Sequence, residues 1–195
     1  MNLTLASASP RRAELLRQVG ISYQVIKPEL EEKPEMGKKP WDIALTLAED
    51  KARVVAQKLE RGVVLAADTL VVYQGELMGK PVDKDDARRM LRLLGGSRHE
   101  VITGLVLIDA ASGLMEKDYS KTTVWMKNLS EVEINDYVEG GEPLDKAGAY
   151  GIQGIAALFV ERIEGCYFNV VGLPLSLLYD MMQELQFAMQ QKSKG

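Results

Sequence analysis

The chain has 195 residues, 46% of them apolar and 27% charged, and its 24 basic against 28 acidic side chains leave a formal net charge of −4. That length buries roughly 70% of the unfolded surface, so a core needs no covalent staples, and one cysteine with one histidine argues against both an internal disulfide and a His/Cys zinc site. No basic excess marks a nucleic-acid surface, no run nears the roughly 18 apolar residues of a membrane span, no secretory leader is visible, and the lone thiol fits the cytoplasm.

Leu3-Thr4-Leu5-Ala6 reads as a short strand. Ser9 is a good N-cap and Pro10 suits a first helical position, so a helix is expected from Pro10 to about Val19, ended by Gly20. Ile21 to Ile26 alternates as a strand, and Lys27 to Lys39 is a loop rich in proline and charge. Pro40 opens a second helix, where Ile43, Ala44, Leu47, Ala48, Lys51, Ala52 and Val55 recur at helical spacing. Val63 to Ala67 is a continuous apolar run typical of a central strand, continued by Leu70 to Tyr73 and turned by Gln74-Gly75. Asp83 to Leu94 reads as a helix with acids first and arginines later, in keeping with the macrodipole. Strands at about Glu100 to Ile108 and Leu114 to Met126 flank a turn at Ala110 to Gly113. Ser130 and Glu133 form a capping box for a helix that ends near Glu139, before Gly140-Gly141. Ala156 to Ile163 reads as a strand, and Pro174 to about Gln190 as an amphipathic helix. Early alternation followed by a long hairpin predicts an α/β fold with a mixed sheet.

Several segments carry candidate chemistry. Ser7 to Arg12 is a strand–turn–helix junction, and a helix amino terminus attracts phosphate through its unpaired N–H groups. Arg11 and Arg12 oppose the macrodipole there and make sense beside an anion, which guanidinium grips with paired hydrogen bonds; two solvated arginines are the other reading. Asp68 follows the apolar run and marks the carboxyl edge of the sheet, where open α/β sheets bind ligands, or else a turn or cap. Glu31 and Glu32, in the proline-rich loop, bring a second carboxylate to a magnesium ion or are simply solvated. Lys51 interrupts an apolar helical face and either snorkels or points into a site.

Gly75 to Pro81 resembles a phosphate-binding loop only superficially. Three residues rather than four separate its glycines, and Pro81 stands where Ser or Thr would hold magnesium; Lys80 can still meet phosphate as a point charge. In Glu142 to Gly154, glycines at 148, 151 and 154 let backbone pass close to a ligand, and Gln153 offers a base edge both a donor and an acceptor. A plain turn between elements is the alternative. His99 reads as structural, Cys166 as an inert thiol, and Met181, Met182 and Met189 as packing.

Taken in order, Leu5 to Arg12, Glu31-Glu32, Leu47 to Ala52, Ala67-Asp68-Thr69, Gly79-Lys80-Pro81, Glu142 to Gly154 and Val170 to Pro174 resemble the Maf family of nucleoside triphosphate pyrophosphatases. The resemblance spans residues 5 to 174. It implies a metal-dependent hydrolase that cuts a nucleoside triphosphate between its α and β phosphates. It also implies a single domain over residues 1–195, an elongated mixed sheet with flanking helices and two lobes around a central cleft, as in inosine triphosphatases. By position Asp68 matches the proton acceptor, and Glu32 with Asp68 the expected carboxylates near Mg2+, Mn2+ or Co2+; Ser7, Arg12, Lys51 and Lys80 match residues lining the triphosphate site. Arg11, Thr69 and Gln153 match the subfamily that favours dTTP and UTP, whereas the sister subfamily favouring 7-methyl-GTP shows Trp, Gln and Glu there.

These residues suit the chemistry, because a triphosphate carries about four negative charges that cations and a divalent ion must offset. Whether Asp68 is base, metal ligand or both stays open. Two other readings stand beside this one: a nucleotide-sensing protein in cell-division control without turnover, and the same hydrolysis on modified pyrimidine triphosphates. The expected partner is the nucleotide, with no nucleic acid and no membrane. The resemblance also suggests a homodimer, and Val124, Trp125 and Met126 read equally well as an apolar patch or as core.

Overall fold

The structure is a computed structural model that describes residues 2–31, 35 and 37–192. Among these are seven strands: β1 (Leu3–Leu5), β2 (Tyr23–Val25), β3 (Val63–Tyr73), β4 (Glu76–Met78), β5 (Arg98–Asp109), β6 (Met115–Met126) and β7 (Val160–Glu164). They form one sheet in the order β2-β1-β3-β5-β6-β7, with β4 paired to β3 off that path. β1 is parallel to β2 and β3, whereas β3 with β4 and β6 with β7 are antiparallel, so the sheet is mixed as expected. The helices are α1 (Pro10–Gln18), α2 (Pro40–Ala56), α3 (Lys84–Leu94), α4 (Glu131–Glu139), α5 (Tyr167–Val171) and α6 (Leu175–Lys192). The chain divides into two compact units, one of Met1–Asp68, Thr103–Ser120 and Gly172–Gly195, the other of Thr69–Ile102 and Lys121–Val171.

In the first unit α2 buries Ile43, Ala44, Leu47, Ala48, Lys51, Ala52 and Val55, the same stripe its spacing predicts. Ala48, Ala52 and Val55 pack on Val64 and Ala66 of β3 and on Val106 and Ile108 of β5. Each fully buried valine or isoleucine there contributes roughly 1.5–3 kcal/mol. Gly104 lets β5 approach α2 closely: a Cβ at that position would lie 2.6 Å from the Ala44 carbonyl carbon. Two details differ from expectation. Ser9 has the extended backbone of an N-cap but makes no side-chain cap bond; its N–H donates instead to Ser7 Oγ at 3.1 Å. β2 is short because Ile21 N–H is spent closing α1 on Leu16 O, at 3.0 Å.

In the second unit Asp83 caps α3, its carboxylate accepting from Asp86 N–H at 2.8 Å, and the Ser130–Glu133 capping box opens α4. Ala87, Met90, Leu91 and Leu94 of α3 join Ile134, Tyr137 and Val138 of α4 in one core. Val124 and Met126 are buried in that core, while Trp125 is half-buried with the Arg162 guanidinium 4.0 Å above its ring, so this stretch is core rather than patch. The strand expected from Ala156 begins only at Val160. Ile155–Phe159 is a 3-10 turn instead, because Ile155 N–H goes to the Glu142 carboxylate and Ala157 N–H to Gly154 O. The short helix α5 carries no sequence periodicity. It is anchored by buried Asn169, whose Nδ2 donates to Val101 O at 2.9 Å and Thr122 Oγ1 at 3.0 Å. Thr122 Oγ1 also donates to Cys166 O and accepts from Cys166 N–H, both at 3.0 Å. His99 is structural, as read: it is 2% exposed with Nε2 2.7 Å from the Tyr150 hydroxyl.

Candidate active site

The parallel ladder of β1 and β3 runs from Leu3 opposite Val63 to Leu5 opposite Leu65, and its last rung is Ala6 N–H to Leu65 O at 2.8 Å. Both strands therefore leave the ladder at one end, β1 toward Ser7 and β3 toward Asp68. This is the carboxyl edge, where α/β sheets gather ligands. β3 runs on past Asp68, as Leu70 to Tyr73 suggests. It continues to Tyr73 by exchanging β1 for β4 as its partner, with Val71 opposite Met78.

Side chains alternate along a strand, so Asp68 shares its face with Val64 and Ala66, the face packed on α2. Lys51 stands on the buried stripe of α2 and turns inward: its Nζ donates to Asp68 Oδ1 at 2.5 Å, and each residue is 7% exposed. Removing two charges from water costs several kcal/mol per ion, and their attraction only roughly offsets it. A core-stabilising role would be served as well by two apolar residues, so the pair points to chemistry.

Ser7 is 5% exposed and gathers two donors on its Oγ, Ser9 N–H at 3.1 Å and Arg12 Nη1 at 3.3 Å. Arg12 Nε donates to Gly172 O at 2.8 Å, which fixes the half-buried guanidinium beside Ser7. Arg11 is its half-buried neighbour in the first turn of α1. Thus Ser7 is joined to Arg12, and Lys51 to Asp68. The Gly172 carbonyl was not foreseen as a partner, since a backbone acceptor leaves no mark on side-chain identity.

The second unit holds the remaining expected residues. Thr69 is half-buried and shares a face of β3 with Val71, against which Gly148 packs. Gly148 N–H donates to Gly79 O at 3.0 Å, tying the segment that carries exposed Lys80 to the one that carries exposed Gln153. The glycines at 151 and 154 were expected to clear room for a ligand. They instead make room for side chains of this protein, Lys146 and Glu142. Glu31 is exposed, and Glu32 lies outside the described residues. No cluster of three or more His, Cys, Asp or Glu side chains suited to a metal occurs among the described residues, and none of their helices is long and apolar enough to cross a membrane. A hollow of about 700 Å3 lies at the amino end of β3, lined by Asn2, Arg61, Asp109, Ser112 and Lys192, and includes none of the expected residues.

A family model described as Maf-like protein matches residues 2–185. The chain is 49% identical to a dTTP/UTP pyrophosphatase of Syntrophomonas wolfei subsp. wolfei, covering 91% of this chain and 94% of that one. It is 47% identical to a dTTP/UTP pyrophosphatase of Carboxydothermus hydrogenoformans (94% and 98% covered) and 49% identical to one of Methanosarcina barkeri (93% of each). Among solved structures, the Staphylococcus aureus Ham1 protein is similar with a TM-score of 0.45 and 15% identity, over 66% of this chain and 73% of that one.

Proposed function

The chain belongs to the Maf family, and on that premise we propose that it is a pyrophosphatase acting on dTTP and UTP. Water adds across the α–β phosphoanhydride, and the products are the nucleoside monophosphate and pyrophosphate. One observation carries this reading: the buried Lys51–Asp68 pair stands at the same end of the β1–β3 ladder as Ser7 and Arg12.

Arg12, Ser7, Lys51 and Lys80 bind the triphosphate, with guanidinium and ammonium groups offsetting charge that moves onto the departing pyrophosphate. Asp68 accepts the proton of the attacking water, and the Lys51 bond to Oδ1 fixes the orientation of its carboxylate. Arg11, Thr69 and Gln153 select the base; the Gln153 amide can accept from N3–H and donate to a carbonyl oxygen of uracil or thymine.

The buried Asp68 carboxylate suits Mg2+ or a similar hard ion, which takes one or two carboxylates and completes its shell with phosphate and water. Asp68 would hold it, with Glu32 as the second carboxylate by resemblance. When bound, such an ion supplies charge neutralisation on the phosphates. The absence of a basic excess and the lone thiol support a cytoplasmic enzyme whose partner is the nucleotide.

The test is a panel of dTTP, UTP, CTP and purine triphosphates with Mg2+, Mn2+ or Co2+, read by pyrophosphate release. Release is expected from dTTP and UTP and is lost with chelator. Asp68→Asn should lower kcat by about 100-fold or more while the protein still melts cooperatively. Tight binding of dTTP with no pyrophosphate under any metal would overturn hydrolysis in favour of a sensor.

A further inference from the structure

Gln153 is exposed, and its side chain makes no hydrogen bond of its own among the described residues. Its amide is therefore placed by the backbone around it, and that backbone is held by one carboxylate. Glu142 Oε2 accepts Ile155 N–H at 3.1 Å, and Glu142 Oε1 accepts the Tyr137 hydroxyl at 3.2 Å. Across Gln153 itself, Gly154 N–H donates to Gly151 O at 3.1 Å. The anchored amide of Ile155 lies two residues after Gln153.

The fittings around this carboxylate are close. Tyr137 is 2% exposed and meets Phe159 edge-on, with ring centroids 5.2 Å apart. Lys146 Nζ donates to Glu142 O at 2.5 Å and to Asp145 Oδ1 at 2.7 Å, and its alkyl chain fills the space beside Gly151, where a Cβ would lie 2.8 Å from Lys146 Cδ and Cε. At Gly154 a Cβ would overlap the Glu142 carboxylate itself. Both glycines thus serve the clasp.

We propose that Glu142 is a specificity-determining positioning residue, which fixes Gln153 for base reading by clasping the loop at Ile155 and bracing it on buried Tyr137; this rests on the function proposed above. A hydrogen-bonding side chain discriminates between bases only as sharply as it is held. Cytosine presents an amine and a ring nitrogen where uracil presents a carbonyl and an N–H, so an amide free to turn would serve both. Releasing the clasp should therefore erode selectivity more than chemistry.

Glu142→Ala removes both acceptor oxygens, leaving the Tyr137 hydroxyl and Ile155 N–H without their shared partner. Gly154→Ala evicts the carboxylate while leaving Glu142 in the chain. The flexible end of the side chain yields there, so the fold is kept even if Glu142→Ala should fold poorly. In both variants the ratio of kcat/KM for dTTP to that for CTP should fall about tenfold. KM for dTTP should rise, and kcat should stay within about threefold. Amide exchange across residues 150–155 should quicken about tenfold.

Faster exchange with unchanged selectivity would overturn the specificity role. Unchanged exchange would overturn the clasp itself, whatever turnover does. A wild-type protein without turnover of any triphosphate would instead refute the proposed function and with it the specificity role, while exchange would still decide the clasp.

Discussion

Lys51 and Asp68 hold each other in a place where neither is comfortable alone. Asp68→Asn leaves an amide oxygen for the Lys51 ammonium, whereas Lys51→Met leaves a buried carboxylate without its cation. The second variant should be the less stable by about 3 kcal/mol, the scale of losing one partner of a buried ion pair, and urea denaturation of the two would show it. His99 makes a second residue-level expectation. Burial pushes its imidazole down to about 4. Below pH 6.5 the unfolded chain takes up a proton that the folded chain refuses, so stability present above 6.5 is lost as pH falls toward about 4 and not further below it. The loss from this group is about 3 kcal/mol. His99→Gln should lack that component when unfolding is compared at pH 7 and pH 4.5. The chemical side chains of the candidate site were largely legible in the sequence, because Ser7, Arg12, Lys51 and Asp68 break the patterns around them. Partners that lend a backbone atom, such as Gly172, were not.

Among elements, α2 was legible to the residue because its apolar stripe repeats locally and needs no knowledge of the rest of the chain. The same holds for the capping box of α4 and the Asp83 cap of α3. What stayed hidden was decided by bonds between distant residues: β3 exchanging β1 for β4 as its partner, and the turn at Ile155–Phe159 set by Glu142. α2 also shows why its lysine is well aimed. Gly104 admits the helix to within reach of β3 and β5, and the atoms that a new Cβ would strike are backbone of Ala44 and Leu45, which cannot step aside. Gly104→Ala should therefore cost about 2–3 kcal/mol in stability and, by lifting α2, lower turnover as well. Thermal melting and pyrophosphate release measured on the same sample would check both effects.

At the scale of the molecule, a protein with a net charge of −4 is proposed to capture a polyanion. Capture must then rely on local cations such as Arg11, Arg12 and Lys51 rather than on the overall field. Their pull is screened by salt, so kcat/KM for dTTP at saturating Mg2+ should fall about three- to tenfold between about 50 mM and 500 mM KCl. Melting should shift far less, because the Lys51–Asp68 pair is shielded from water. One further feature has a practical use. Cys166 is the only thiol in the chain, is half-buried, and has its backbone pinned to Thr122 just before α5. A maleimide fluorophore attached there would go to one known position without removing any competing cysteine, and its emission would report on the α5 anchorage while nucleotide is titrated in.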